Sequence, residues 1–201
     1  MALDTYSNLK AAILRWSPRK DITDLLDDFI DLAESEMWKT LRIRDMETSA
    51  GITVSGRTAT LPAAYVAARS VIHVQGGESI RINPVAPQSQ IIKSGSGIPS
   101  NFTVRDSVEF DRTPNGTVTL EYYASLTSLG TASGATVNGV LTRFPDIYLF
   151  GALSQMFGFS EDTEEELKWK SKFESAILGA NKQDRDGRYL APAGRVRGST
   201  P

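Results

Sequence analysis

The longest apolar stretch of the chain covers residues 141–159. Past its first turn, polar side chains are almost confined to Ser154 and Gln155, so the stretch lacks the polar face of a surface helix. Pro145 stands near its start, where a helix tolerates proline because the backbone N–H has no partner there. Gly151 lets another backbone approach closely. The pattern therefore predicts the central helix of a helical bundle, buried nearly all round.

Two amphipathic patterns precede this stretch at the start of the chain. Apolar residues recur at helical spacing from Tyr6 to Trp16, and again from Ile22 to Leu41. The other face of the second pattern carries five carboxylates: Asp24, Asp27, Asp28, Asp31 and Glu34. Such spacing can hold a hard cation in principle, but the glycine-bearing loop of a calcium site is missing. The chain is predicted to begin with a helical pair over residues 1–46.

From residue 47 to residue 140 the periodicity changes from helical to alternating. Short β-branched and aromatic runs are separated by turn sequences, among them Ser55-Gly56, Gly76-Gly77 and Pro114-Asn115-Gly116. The Ser-, Thr- and Gly-rich stretch at its end is typical of an exposed loop. This pattern predicts an inserted small antiparallel β domain.

After the central helix, Trp169, Phe173 and Ile177 form the apolar stripe of one more predicted helix. Residues 141–182 are thus expected to form a second helical pair that packs on the first. Beyond Asn181 the apolar repeat stops, and residues 183–201 are predicted to form a flexible, basic C-terminal arm. The predicted fold is α+β, with a four-helix bundle from the terminal segments, a small antiparallel β insert and an extended tail.

Composition narrows the possible functions further. The chain has 201 residues, no cysteine, one histidine and a formal net charge of −2. Disulfides, thiolate catalysis and cysteine-bearing zinc sites are therefore excluded. No signal peptide or membrane span is expected. The sequence contains neither a phosphate-binding glycine loop nor a nucleophile elbow, so we expect no enzyme activity and no cofactor.

Several segments, taken in order, resemble the head-to-tail adaptor, or connector, proteins of tailed bacteriophages. The resemblance rests on residues 4–10 (DTYSNLK) followed by Trp16, residues 41–47 (LRIRDME), Leu61-Pro62, and residues 141–153 (LTRFPDIYLFGAL) with Trp169 and Phe173 downstream. It covers the chain to about Asn181.

The resemblance implies a structural virion protein, made in the host cytoplasm, that sits at the head–tail junction. Adaptors of this type form a dodecameric ring beneath the portal protein, join a tail or nozzle protein below, and complete a channel through which DNA passes without sequence-specific binding. They have no known catalytic centre. No membrane partner is expected for this chain. The arm would dock on a neighbouring copy or on the portal, through candidate residues Arg185, Arg188, Tyr189, Leu190, Arg195 and Arg197.

The acidic residues Asp24, Asp27, Asp28 and Asp31 have three open interpretations. They can meet a basic face of the next copy, since lateral contacts in a ring join two different patches. They can also line the DNA channel, or simply face solvent, which is the usual state of surface charge.

The rival functions are another tail-junction or tail-tube component and a nucleic-acid-binding module. The second is disfavoured because residues 47–140 carry as many acidic as basic residues.

Overall fold

A computed structural model describes residues 3–17, 19, 21–130 and 133–188. The chain divides into two units. The helical unit takes the described residues up to Asp45 and those from Thr127 onward, and the sheet unit takes Met46–Leu126. Each unit has a hydrophobic core of its own.

Five helices make up the helical unit. Their bounds are α1 Tyr6–Trp16, α2 Leu26–Thr40, α3 Gly139–Arg143, α4 Pro145–Phe159 and α5 Thr163–Arg188. Helix α4 packs against α1, α2 and α5 and is buried on most of its surface, as the sequence predicted. A Cβ added at Gly151 would lie 2.9 Å from Ala33 and 2.9 Å from Phe173. This glycine therefore allows α2 and α5 to approach α4 on the same side.

Helix α5 runs on to Arg188, past Asn181, where the apolar repeat stops. Beyond Ile177 and Ala180, the face of α5 that packs on the protein carries polar residues, and these have hydrogen-bonding partners. Asn181 accepts a hydrogen bond from the backbone N–H of Arg42 (2.7 Å) and donates one to the carbonyl of Thr40 (3.0 Å). The apolar repeat does not predict that α5 extends to Arg188, because hydrogen bonds replace apolar contacts along the same face.

The sheet unit contains ten strands. Their bounds are β1 Glu47–Ile52, β2 Val54–Ser55, β3 Thr58–Thr60, β4 Tyr65–Gln75, β5 Glu78–Pro84, β6 Ser96–Gly97, β7 Asn101–Val104, β8 Ser107–Phe110, β9 Thr113–Pro114 and β10 Thr117–Ala124. Eight of them form one sheet in the order β1-β10-β4-β5-β7-β8-β3-β2, while β6 and β9 pair separately. All pairs in the large sheet are antiparallel except β5 with β7.

The large sheet is nearly closed. Strands β1 and β2 lie at its opposite edges, yet Thr53 alone separates them in the sequence. The Cα atoms of Ile52 and Val54 can be no more than about 7 Å apart, so the sheet must curl until its edges come close. The hydrophobic core of the unit includes Val71, Phe102, Phe110 and Leu120.

The predicted fold class was wrong in its architecture. The protein is α+β, but its described residues form five helices and a large eight-stranded sheet, not a four-helix bundle with a small antiparallel insert. The tight turns at Ser55-Gly56 and Gly76-Gly77 are present, and β2–β3 and β4–β5 pair across them. The sequence did not predict the long-range pairing, in which β10 lies between β1 and β4 and eight strands join one sheet. Alternation predicts strands, but it does not predict which strand lies next to which.

Candidate interaction surfaces

The acidic residues of α2 and its entry divide into two groups. Asp24, Asp28 and Asp31 are exposed. Asp27 is half-buried and accepts hydrogen bonds from the hydroxyl of Tyr6 (2.7 Å) and from Nζ of Lys10 (2.5 Å). Although Asp31 is exposed, desolvation by the protein atoms around it, together with the nearby carboxylates of Asp27 and Asp28, raises its pKa. The face thus concentrates negative charge, although Asp27 also holds α1 to α2.

Glu34 does not belong to this acidic face, contrary to the sequence-based grouping. Its side chain is 2% exposed, and Oε1 accepts hydrogen bonds from the backbone N–H of Leu129 (2.9 Å) and the hydroxyl of Tyr148 (2.7 Å). The Tyr148 hydroxyl in turn accepts one from Asn138 (2.6 Å). Burial raises the pKa of Glu34 more than these hydrogen bonds lower it. This network fixes the loop before α3 to the helices, so Glu34 has a structural role.

The predicted basic arm lies mostly outside the described residues. Arg185 is in α5 and exposed, with Nε 4.0 Å from a carboxylate oxygen of Asp186. Arg188 is the last residue of that helix. Tyr189, Leu190, Arg195 and Arg197 lie outside the described range. The structure thus places the first predicted arm residues in a helix.

An open groove runs between α4 and α5. Phe144, Phe150, Ala176, Gly179 and Ala180 contribute most of its apolar lining. A Cβ added at Gly179 would meet no atom within 4 Å, so the helix exposes its backbone to the groove at this point. We call this feature the α4–α5 groove.

One side of the groove carries a cation over aromatic rings. The Nζ of Lys172, which also lines the groove, lies 4.2 Å from the centre of the Trp169 ring and 5.7 Å from that of Phe150. The ring of Trp169 contacts those of Phe150 and Trp16. Since such contacts hold long side chains in place, this side of the groove has a defined shape.

A second apolar surface lies in the sheet unit. Residues 90–98, which we call the isoleucine loop, expose Ile91 (74%), Ile92 (63%) and Ile98 (41%). This surface was not predicted from the sequence. Its signal is the pair of adjacent isoleucines, which breaks the alternation expected of a strand.

The isoleucine loop is fixed on both sides of its apolar pair. Gln90 donates a hydrogen bond to the carbonyl of Glu109 (3.0 Å), and the backbone N–H of Lys93 donates to the carbonyl of Asp111 (2.7 Å). The Nζ of Lys93 also lies 2.9 Å from Oδ2 of Asp111, which is fully buried. Burial raises the pKa of Asp111, but hydrogen bonds from Lys93 and the backbone of Ser100 outweigh it and lower the pKa overall. The loop therefore presents its isoleucines from an anchored backbone.

No group of three or more potential metal ligands occurs among the described residues. None of the described helices has both the length and the apolar character needed to cross a bilayer.

Comparison with known proteins defines the class of this molecule as a structural adaptor of bacteriophage virions. The family model described as SU10 adaptor protein matches residues 4–197. The chain therefore belongs to the SU10 adaptor protein family. The resemblance to phage adaptors noted in the sequence is confirmed at this level. A search of curated proteins found no match.

Proposed function

We propose that this protein is a head-to-tail adaptor that forms a ring between the portal and the tail and completes the DNA channel. The observation that carries the proposal is the family match over residues 4–197. Membership in an adaptor family favours a role in joining two assemblies over a role in catalysis. The adaptor-like segments at 4–10, 41–47 and 141–153 point to the same function from the sequence.

The partners follow from this role. Identical copies, twelve by analogy with the portal, form the ring, with the portal protein on one side and a tail or nozzle protein on the other. DNA passes through the centre without sequence-specific contacts. The exposed carboxylates of Asp24, Asp28 and Asp31 suit a channel wall, because like charge discourages phosphate from binding. They suit equally a contact with a basic patch of the next copy.

Charge reversal separates these two roles of the acidic face. Asp24→Lys with Asp28→Lys changes two exposed residues and leaves Asp27 bonded to Tyr6 and Lys10. A lateral contact predicts fewer rings on the portal. A channel wall predicts normal rings but altered DNA passage in assembled particles.

The C-terminal arm is proposed to dock on the portal or on a neighbouring copy. Arg185, Arg188, Arg195 and Arg197 give it positive charge, and Tyr189 and Leu190 give it apolar anchors. A chain truncated after Arg188 retains the whole of α5. Truncation is expected to weaken binding to the portal and leave the melting temperature unchanged. Portal binding equal to that of the full chain would contradict this role.

The central experiment is to mix the purified full-length protein with its portal and examine the mixture by electron microscopy. A coaxial ring beneath the portal supports the proposal, whether the free protein is monomeric or not. A bare portal together with co-assembly on tail components would contradict it. That result would favour a tail-junction or tail-tube component, for which the eight-stranded sheet is the supporting observation.

A further inference from the structure

We propose that Asp184 is a positioning residue for the part of the C-terminal arm beyond Arg188. With Arg44, Asp45 and Arg143 it forms an ionic clamp that ties the end of α5 to the segment leading into the sheet unit. This inference rests on the proposed function, because it assumes that the arm contributes to binding of the portal. It adds a condition: the arm binds tightly only when the end of α5 is held in place.

Asp184 is a buried carboxylate in a part of α5 that is otherwise exposed. Its residue is 1% exposed, whereas Gln183, Arg185 and Asp186 around it are exposed. It lies beyond Ala180, where the buried apolar stripe of the helix ends. Removing a carboxylate from water is unfavourable unless nearby cations compensate its charge. The end of α5 is thus held by polar contacts, among which the charge of Asp184 is the most costly to leave unpaired.

Two arginines and a second carboxylate complete the ionic clamp. Nε of Arg44 donates a hydrogen bond to Oδ1 of Asp184 (3.3 Å), and Nη2 of Arg143 lies 4.0 Å from the same oxygen. Nη1 of Arg143 donates a hydrogen bond to Oδ1 of Asp45 (2.9 Å). The guanidinium of Arg143 therefore bridges two carboxylates, which the compact ammonium of a lysine would not do in this geometry. Because the clamp has two charges of each sign, loss of one carboxylate leaves two arginines facing the other.

The ionic clamp lies where the chain leaves the helical unit in two directions. Asp45 is the last residue before the sheet unit begins at Met46. Asp184 is about one helical turn before Arg188, the last residue of α5. Gly139 leaves room for the carboxylate of Asp45, since a Cβ there would lie 2.8 Å from Oδ2. The same ion pairs therefore fix the backbone near both exits.

Holding the end of α5 should strengthen docking of the arm. The effective concentration of a tethered segment at its binding site falls as the tether lengthens. Fraying of the last turns of α5 would add residues 183–188 to the length of chain between the fixed helix and the docked residues. A helix end held by the ionic clamp keeps this tether short, which lowers the entropic cost of docking. Asp184 thus acts through the helix and does not itself contact the partner.

The first test measures whether the ionic clamp couples the two exits. Asp184→Asn keeps the shape of the side chain and removes its charge. Hydrogen exchange of the full chain should become about tenfold faster both at residues 183–188 and at residues 44–46. Asp186→Asn is the matched control, because it removes the same charge from an exposed residue in the same part of α5, 4.0 Å from Arg185. It should change neither rate. Faster exchange confined to α5 would overturn the coupling.

The second test separates positioning from stability by a double-mutant cycle on portal binding. Asp184→Asn should weaken binding of the full chain to the purified portal about tenfold, and Asp186→Asn should leave it unchanged. In the chain truncated after Arg188, Asp184→Asn should cause no further loss, because no arm remains to be positioned. Equal weakening in both lengths of chain would mean that Asp184 only stabilises the helical unit, and would overturn the positioning role.

The same cycle distinguishes failure of this inference from failure of the proposed function. If truncation alone leaves portal binding unchanged, the docking role of the arm is overturned, and the positioning role with it. If truncation weakens binding but Asp184→Asn does not weaken that of the full chain, only the positioning role is overturned.

The third test removes the bridge and keeps its charge. Arg143→Lys retains a cation that cannot contact both carboxylates in the same way. It should accelerate exchange at residues 44–46 and weaken portal binding of the full chain about threefold, without further effect on the truncated chain. Arg105→Lys, at an exposed arginine of the sheet unit, is the control and should change neither quantity. Exchange at residues 44–46 equal to that of the unaltered protein would overturn the bridging role of Arg143.

Discussion

The helical unit and the sheet unit bury polar side chains in different ways. In the helical unit, buried Glu34 and Asp184 have partners from distant parts of the chain: Leu129 and Tyr148 for the first, Arg44 for the second. In the sheet unit, buried Ser70 and Asp111 have partners, but Oγ1 of Thr103 and both ring nitrogens of the fully buried His73 have none among the described residues.

The difference follows from how each unit fixes its own geometry. A helix satisfies its backbone internally, so side chains must determine how helices and loops sit against each other. A sheet links its strands through backbone hydrogen bonds, and the register is then set without help from buried polar side chains. Buried polar groups should therefore stabilise the helical unit, whereas unpartnered ones in the sheet unit should only add a desolvation cost.

The largest effect is expected from Glu34→Ala. It leaves the N–H of Leu129 and the hydroxyl of Tyr148 without their acceptor in a buried place. The free energy of unfolding should fall by about 3 kcal/mol, measured by urea denaturation. Glu34→Gln retains an acceptor oxygen and should cost about 1 kcal/mol. Equal losses from the two variants would show that charge, and not hydrogen bonding, matters at this position.

Asp111→Ala should have the next largest effect, because Asp111 is a fully buried carboxylate of the sheet unit that has both a hydrogen-bonding partner and an ion-pair partner. The variant loses the hydrogen bond from the N–H of Ser100 (3.0 Å) and the ion pair with Lys93. We expect a loss of about 2 kcal/mol and faster amide exchange at Ser100. Asp106→Ala, an exposed carboxylate nearby, is the control. An unchanged exchange rate at Ser100 would mean that Asp111 does not anchor the isoleucine loop.

Lowering the pH should change the contributions of Glu34 and Asp111 to the free energy of unfolding in opposite directions. The folded pKa of Asp111 lies below its ordinary value of 3.8, so its stabilising contribution is present above that value and is lost as the pH falls through the folded pKa. The folded pKa of Glu34 lies above its ordinary value of 4.5, so its contribution is complete below pH 4.5 and is lost as the pH rises through the folded pKa. Each contribution is measured by comparing the free energy of unfolding of Glu34→Gln and of Asp111→Asn with that of the unaltered protein over a range of pH. The same sign of pH dependence at both residues would contradict this account.

Asn181→Ala should have a smaller effect, of about 1 kcal/mol. It removes the two hydrogen bonds that join α5 to the backbone of Thr40 and Arg42. Hydrogen exchange should show fraying of α5 beyond Ala180. Lys182→Ala, at the adjacent exposed residue, should leave exchange unchanged. Unaltered protection beyond Ala180 in Asn181→Ala would show that other contacts hold this part of the helix.

The sequence predicted features that depend on local pattern. Helix α4, with Pro145 at its start and Gly151 at its close contacts, follows from apolarity and from the properties of proline and glycine. The order of the strands could not be predicted from the sequence, because the pairing of Glu47 with Tyr123 joins segments far apart in the chain. The α4–α5 groove could not be predicted either, since a glycine inside a helical pattern does not show whether it faces a groove.

The smallest effect is expected from His73→Leu. The imidazole is fully buried without a hydrogen-bonding partner among the described residues, so removing its nitrogens leaves no other group unsatisfied. A Cβ at Gly116 would lie only 3.0 Å from Nε2, so the replacement must be no larger than histidine. The free energy of unfolding should stay within about 1 kcal/mol of the original or rise.

Thr103→Val is the companion variant to His73→Leu, because Oγ1 of Thr103 is also buried without a partner among the described residues. The substitution keeps the shape of the side chain and removes the hydroxyl, so it should be neutral or stabilising. A loss of about 3 kcal/mol in either variant, the size expected for Glu34→Ala, would mean that the sheet unit also depends on buried polar contacts. The contrast between the two units would then fail.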